Sequence, residues 1–137
     1  MREAMTRNDQ IVRTPALPKT IMKKVNKDFE LFQREFKKWQ KLFGLGGYAI
    51  HFKYEPDDAS FASIAVDQDE MTATVRLNSK LPDKDKPHKD IKRDAKHEAL
   101  HLLAARLNYL ARCRYTTGDE IYEAIEELVH KLEDLIP

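Results

Sequence analysis

Cysteine is almost missing from this sequence: Cys113 stands alone. No disulfide can close within the chain, and a thiolate zinc cage is excluded. Glycine is scarce too, and three of the four glycines fall in one short run, "GLGG" at Gly44–Gly47. No apolar stretch approaches the roughly 20 residues that a bilayer-spanning helix needs. The first residues, "MREAMTRNDQIVRTPALPKT", hold no apolar segment of the kind a secretory signal carries. These absences lead us to expect a cytoplasmic protein with no membrane partner. At 137 residues, 42% hydrophobic and 34% charged, the chain has the size and composition of one globular domain.

The net charge is only +1 but is unevenly spread. Residues 1–43 hold 11 Lys/Arg against 5 Asp/Glu, whereas residues 117–137 hold 1 against 7. Such asymmetry can mark a nucleic-acid-binding arm. It can equally be two oppositely charged helices lying near each other, or two solvated faces.

Residues 1–18, polar and carrying Pro15 and Pro18, read as a loose lead-in, and residues 19–137 as the folded domain. From Lys19 the pattern becomes helical. Met22, Val25, Phe29, Phe32, Phe36, Trp39 and Phe43 recur at steps of three and four, one stripe of an amphipathic helix. The glycines at Gly44–Gly47 end it. Three strand-like runs follow: Tyr48–Glu55, Ala62–Asp67 and Met71–Asn78. Their short links predict a mainly antiparallel meander, with Asp67–Glu70 as a hairpin turn. A polar loop leads into a long helix from about Lys89 to Arg112, and after Gly118 a last helix covers roughly Asp119 to Leu135. The predicted class is α+β, in the order α-β-β-β-α-α.

The stretch that carries chemistry is "DAKHEALHLLAARL", Asp94 to Leu107. An HExxH pattern arises by chance in roughly 1–2% of chains of this composition, so its context must decide. On a helix, a spacing of four puts His97 and His101 on one face, one turn apart, where both imidazoles reach a single zinc ion. Glu98 lies beside that face, where a general base for an activated water belongs. The second half of the helix is apolar nearly all round, which predicts that His101 lies at the floor of a cleft.

A catalytic zinc needs a third protein ligand and an open position. No third histidine follows closely, and the last helix offers several acids instead. Helical projection places Glu126 at the border of that helix's apolar face, with Glu127 on the other flank and Glu123 pointing farther away. His130 follows Glu126 by one turn and is a further candidate ligand. Tyr109, Tyr115 and Tyr122 are candidate hydrogen-bond donors to a developing negative charge. Cys113 reads as structural.

From Trp39 to Leu135, the strand "TATVRLN", the helix "AKHEALHLLAARL" and the final "EAIEELVHKLEDLI" resemble the short zinc metallopeptidases of phages and other mobile elements. These are minimal zincins related to the SprT-like and ImmA/IrrE-type families. The resemblance implies a zincin-like fold and hydrolysis of peptide bonds in a protein or peptide substrate. It implies a Zn2+ cofactor held by His97, His101 and a glutamate best matched by Glu126, with Glu98 as general base. It also implies that the strand before the catalytic helix receives the substrate as an added strand, which assigns Thr72, Ala73, Thr74, Val75, Arg76, Leu77 and Asn78 to peptide binding. SprT-like members use a third histidine, and only His130 lies downstream here.

Two rival classes share these features. A zincin-like binding module would keep the fold without turnover. A nucleic-acid-binding regulator would use the basic first helix, but it calls for aromatic residues among the basic side chains. Here the aromatic residues line the apolar stripe, so nucleic acid is not expected as the partner.

Overall fold

The first helix owes its place to its aromatic stripe. In a computed structural model, which describes residues 19–137, helix α1 spans Lys19–Leu42. Phe32 and Phe36 are fully buried, and Phe52 of the sheet meets both rings edge-on. Phe29 stacks on Tyr54, and Trp39 on Phe43. Met22, Val25 and the lead-in 1–18 lie outside the described residues and side chains. The helix stops at Gly44, whose φ of +68° is open to glycine at little cost. There the Leu45 amide donates back to the Gln40 carbonyl at 2.9 Å, closing the last turn.

The three strands are β1 (Ala49–Glu55), β2 (Ala62–Asp67) and β3 (Thr72–Asn78). Their order is β1-β3-β2, with β1 parallel and β2 antiparallel to β3. The expected meander is therefore corrected to a mixed sheet with β3 in the centre. Only the β2–β3 hairpin is as read. Alternation tells which face a residue takes but not which strand lies beside it. The physical reason for the crossing lies in the β1–β2 link. Its bend is tied to the end of β3 by buried Asn78, which accepts from the Asp57 and Lys80 amides and donates to the Asp57 and Ser60 carbonyls. The chain thus passes over the end of β3 and returns on its far side.

The second helical region is two helices, α2 (Ile91–Leu103) and α3 (Ala105–Arg112), broken at Ala104 (φ −89°, ψ 1°). The sequence reads straight through this point because no glycine or proline marks it. Asp90 caps α2 by accepting from the Arg93 amide. Ala95, Ala99 and Leu102 bury one face of α2 against α1 and the sheet, opposite Ala73, Val75 and Leu77. Small residues at 95 and 99 let the backbones approach closely. Helix α4 (Gly118–Glu133) starts with a capping box in which Thr117 and Glu120 satisfy each other's amides. It packs on α3, with Ala124 its buried residue. Lys131 reaches across to the Gly44 carbonyl at 3.2 Å. Among the described residues, four α-helices and a three-stranded mixed sheet make the class α+β. Among the described residues no helix is long and apolar enough to cross a membrane.

Replacing Asn78 with alanine removes its four side-chain bonds and leaves part-buried amides and carbonyls of the link unpaired. Asn78→Ala should cost about 2–3 kcal/mol in urea unfolding. An unchanged midpoint would mean that the link is held by something else.

Candidate metal and catalytic site

Two histidines on consecutive turns of α2 bring their Nε2 atoms to 3.2 Å, with ring centroids 4.8 Å apart and planes at 78°. Two nitrogens bound tetrahedrally to one zinc, each about 2.0–2.1 Å from it, would lie about 3.3 Å apart. The pair passes that spacing test without any side chain moving. The same distance suits an N–H···N bond between neutral rings, so the pair is satisfied with or without a metal.

Both rings are exposed, and Glu98 between them in sequence is only 5% exposed. This reverses the expected arrangement, which put His101 at the floor. The uncovered side of α2, where Leu100 is 40% exposed, carries His101 outward, and the glutamate forms the floor instead. Burial pushes the Glu98 carboxyl above the ordinary glutamate range, opposed by the nearby His97 and reinforced by Asp94. Asp94, one turn before His97, is likewise raised, by burial and then by Asp90. Its Oδ2 is buried with no hydrogen-bond partner among the described residues.

The histidines open onto a cleft of about 890 Å3. One wall is α2 and α3, from His97 through Ala104 and Asn108 to Arg112; the other is β2, at Ser63, Ile64, Ala65 and Val66. Since β2 is an edge of the sheet, one side of its backbone is unpaired within the sheet. The assignment of peptide binding to Thr72–Asn78 is corrected accordingly. Strand β3 is paired on both sides, so its backbone has nothing left to offer an added strand. Ala73, Val75, Leu77 and Asn78 are also buried in the interior, while Thr72, Thr74 and Arg76 are half-buried, and Arg76 is bound to Glu55 at 2.7 Å.

The acids of α4 are not gathered at the histidines. Among the described residues, no group of three His, Cys, Asp or Glu side chains stands close enough to hold a metal ion. Glu126 interacts with the Tyr122 hydroxyl, which it holds in the protonated form. Glu127 pairs with Arg106 at 2.8 Å and lines a separate pocket with Lys131. Glu123 lies 3.8 Å from the same guanidinium. His130 binds Glu133 at 2.8 Å beside Leu42 and Gly44, and that carboxylate raises its pKa. The His97–His101 pair therefore offers two donors where a catalytic zinc usually takes three from the protein, and no third stands beside them among the described residues.

Of the tyrosines, only Tyr109 lines the cleft, and its hydroxyl donates to Asp69 at 3.0 Å. That bond, and then Cys113, push its pKa to about 12. Tyr115 is 84% exposed, beneath Arg114. Sequence reasoning missed the β2 wall and Arg112 as cleft residues. The spacing 97, 101, 108, 112 held a signal for the last two, since they continue the histidine face along the helical line. No family model matches the chain, and neither a curated protein nor a solved structure does.

The raised Glu98 has a definite consequence in the metal-free protein. The folded carboxyl holds its proton more tightly than the unfolded one, so stability falls as pH rises from the ordinary glutamate range through the folded pKa. Glu98→Gln removes this loss. Its thermal midpoint at neutral pH should exceed that of the parent, and the gap should close toward acid pH. An equal or lower midpoint at neutral pH would contradict the burial of an ionisable group there.

Proposed function

We propose that the protein is a zinc-dependent peptidase of the zincin type, with His97 and His101 as zinc ligands and Glu98 as general base. The observation that carries this reading is the 3.2 Å Nε2–Nε2 spacing beside a buried glutamate, at the mouth of a cleft walled by an edge strand. Zinc, when bound, supplies Lewis acidity toward a carbonyl and lowers the pKa of water toward neutrality. The protein's own groups do the rest. An extended peptide lies along β2, holding register through main-chain hydrogen bonds as an added strand does. Glu98 takes a proton from the attacking water and gives it to the leaving amine. Asp94 is the carboxylate available to orient the His97 ring, as carboxylates commonly do for ligating histidines. The proposed setting is cytoplasmic, with a protein or peptide as substrate.

A second reading has its own support. With a third donor not gathered among the described residues, a zincin-like module that binds extended peptides on β2 without cleaving them fits the same cleft. The two readings part at Glu98. In the peptidase, Glu98→Gln retains the metal and loses at least about 100-fold in turnover of a fluorogenic peptide mixture. Hydrolysis that survives Glu98→Gln would remove Glu98 from the chemistry. If the zinc-loaded wild type cleaves nothing in that mixture, the binding module takes the peptidase's place. Glu127→Ala and His130→Ala should leave metal affinity unchanged, because Arg106 and Glu133 hold those side chains elsewhere.

A further inference from the structure

The cleft does not end at the histidines. Past His101 the wall continues through Asn108 to Arg112, one helical turn apart, at the far end of α3. Tyr109 bonds to Asp69, just beyond Gln68 of the β2 wall, so this is the end of the cleft reached by the C-terminal side of β2. Arg112 closes α3, on the far side of the break at Ala104 from His101. A substrate extended along β2 would place a residue some way from the reacting bond beside it.

Arg112 differs from its neighbours. Arg106 is held by Glu127 and Glu123, and Arg114 lies over the Tyr115 ring. Arg112, permanently charged, lines the cleft and has no carboxylate partner among the described residues. Asp69, at the same end, already accepts the Tyr109 hydroxyl. Among the described residues, Glu98, at the floor by the histidines, is the one carboxyl that lines the cleft. A long groove with one acid at its centre and an uncommitted guanidinium at its end favours an anionic group there.

We propose that Arg112, assisted by the Asn108 amide, forms a subsite for a carboxylate of the bound peptide. This inference rests on the peptide-binding role proposed for the cleft and deepens it into a preference for acidic substrates. The carboxylate belongs either to an aspartate or glutamate side chain or to the peptide's C-terminus. Guanidinium matches both with paired N–H donors. Because Arg112 is exposed, the gain is that of a solvent-accessible ion pair, about five-fold in affinity, and it weakens with salt.

The test uses the full chain carrying Glu98→Gln, with zinc present, and fluorescence anisotropy of short alanine-based peptides. One arm moves a single aspartate through peptides blocked at both ends. The other compares neutral peptides with free and amidated C-termini. Glu98→Gln should bind an acidic or free-carboxylate peptide about five-fold more tightly than its neutral counterpart. Adding Arg112→Ala should remove that preference, Arg112→Glu should turn it toward lysine peptides, and Arg112→Lys should keep part of it. Which arm shows the effect names the source of the carboxylate. Equal binding of acidic and neutral peptides, a preference that survives Arg112→Ala, or no peptide binding at all would overturn the subsite. Wild-type protein that binds acidic peptides in this way but cleaves none would leave the subsite standing and refute the peptidase alone.

Discussion

One helix holds the whole account together: α2 is pressed between α1 and the sheet by Ala95, Ala99 and Leu102. A helix fixed on one face has its other faces fixed as well. Residues four apart then stand one turn above each other, and the His97 and His101 rings meet at chelate distance as a consequence of backbone geometry. The same packing draws Glu98 inward and leaves the histidines outward. Loosening this face by enlarging Ala95 or Ala99 would move the ligands before it touched them.

The site works against the stability of the fold that carries it. Burying a carboxyl disfavours its ionised form, and two acids on one side of α2, Asp94 and Glu98, both have raised pKa values for that reason. Asp94 also leaves a buried oxygen without a partner among the described residues. A purely structural helix gains nothing from such placements. A cation bound at the histidine pair would offset both, since a nearby positive charge favours the ionised carboxylates. Costly placements of this kind, with Glu98 at the floor of a cleft, are more common at functional sites than elsewhere.

Much of this was written in periods that the sequence displays. The steps of three and four from Phe29 to Phe43, the glycine stop, the alternation in three strands and the HExxH spacing each specify a local element by one physical rule. What could not be read was the relation between elements. Alternation in Tyr48–Glu55 does not say that β1 runs parallel to β3, and the crossing depends on Asn78 gripping a bend some twenty residues away. That one unreadable fact placed an added strand on β3, which has no free edge. The break at Ala104 was equally silent, since alanine favours helix and the change of direction comes from packing. The expectation for Glu126 drew on the amphipathic pattern of α4. Such a pattern gives a face, whereas reaching the histidines depends on how α4 docks, and here it docks on α3 with its acids turned to Arg106 and Tyr122.

Zinc-edge X-ray absorption of the full chain, purified and reconstituted with zinc, tests the central claim most directly. About one tightly held zinc per chain is expected, its shell containing imidazole nitrogen at about 2.0–2.1 Å, with both the metal and that signal lost in His97→Ala and His101→Ala. No retained zinc, or an imidazole signal that survives both substitutions, would contradict it and return the two histidines to the role of a hydrogen-bonded surface pair.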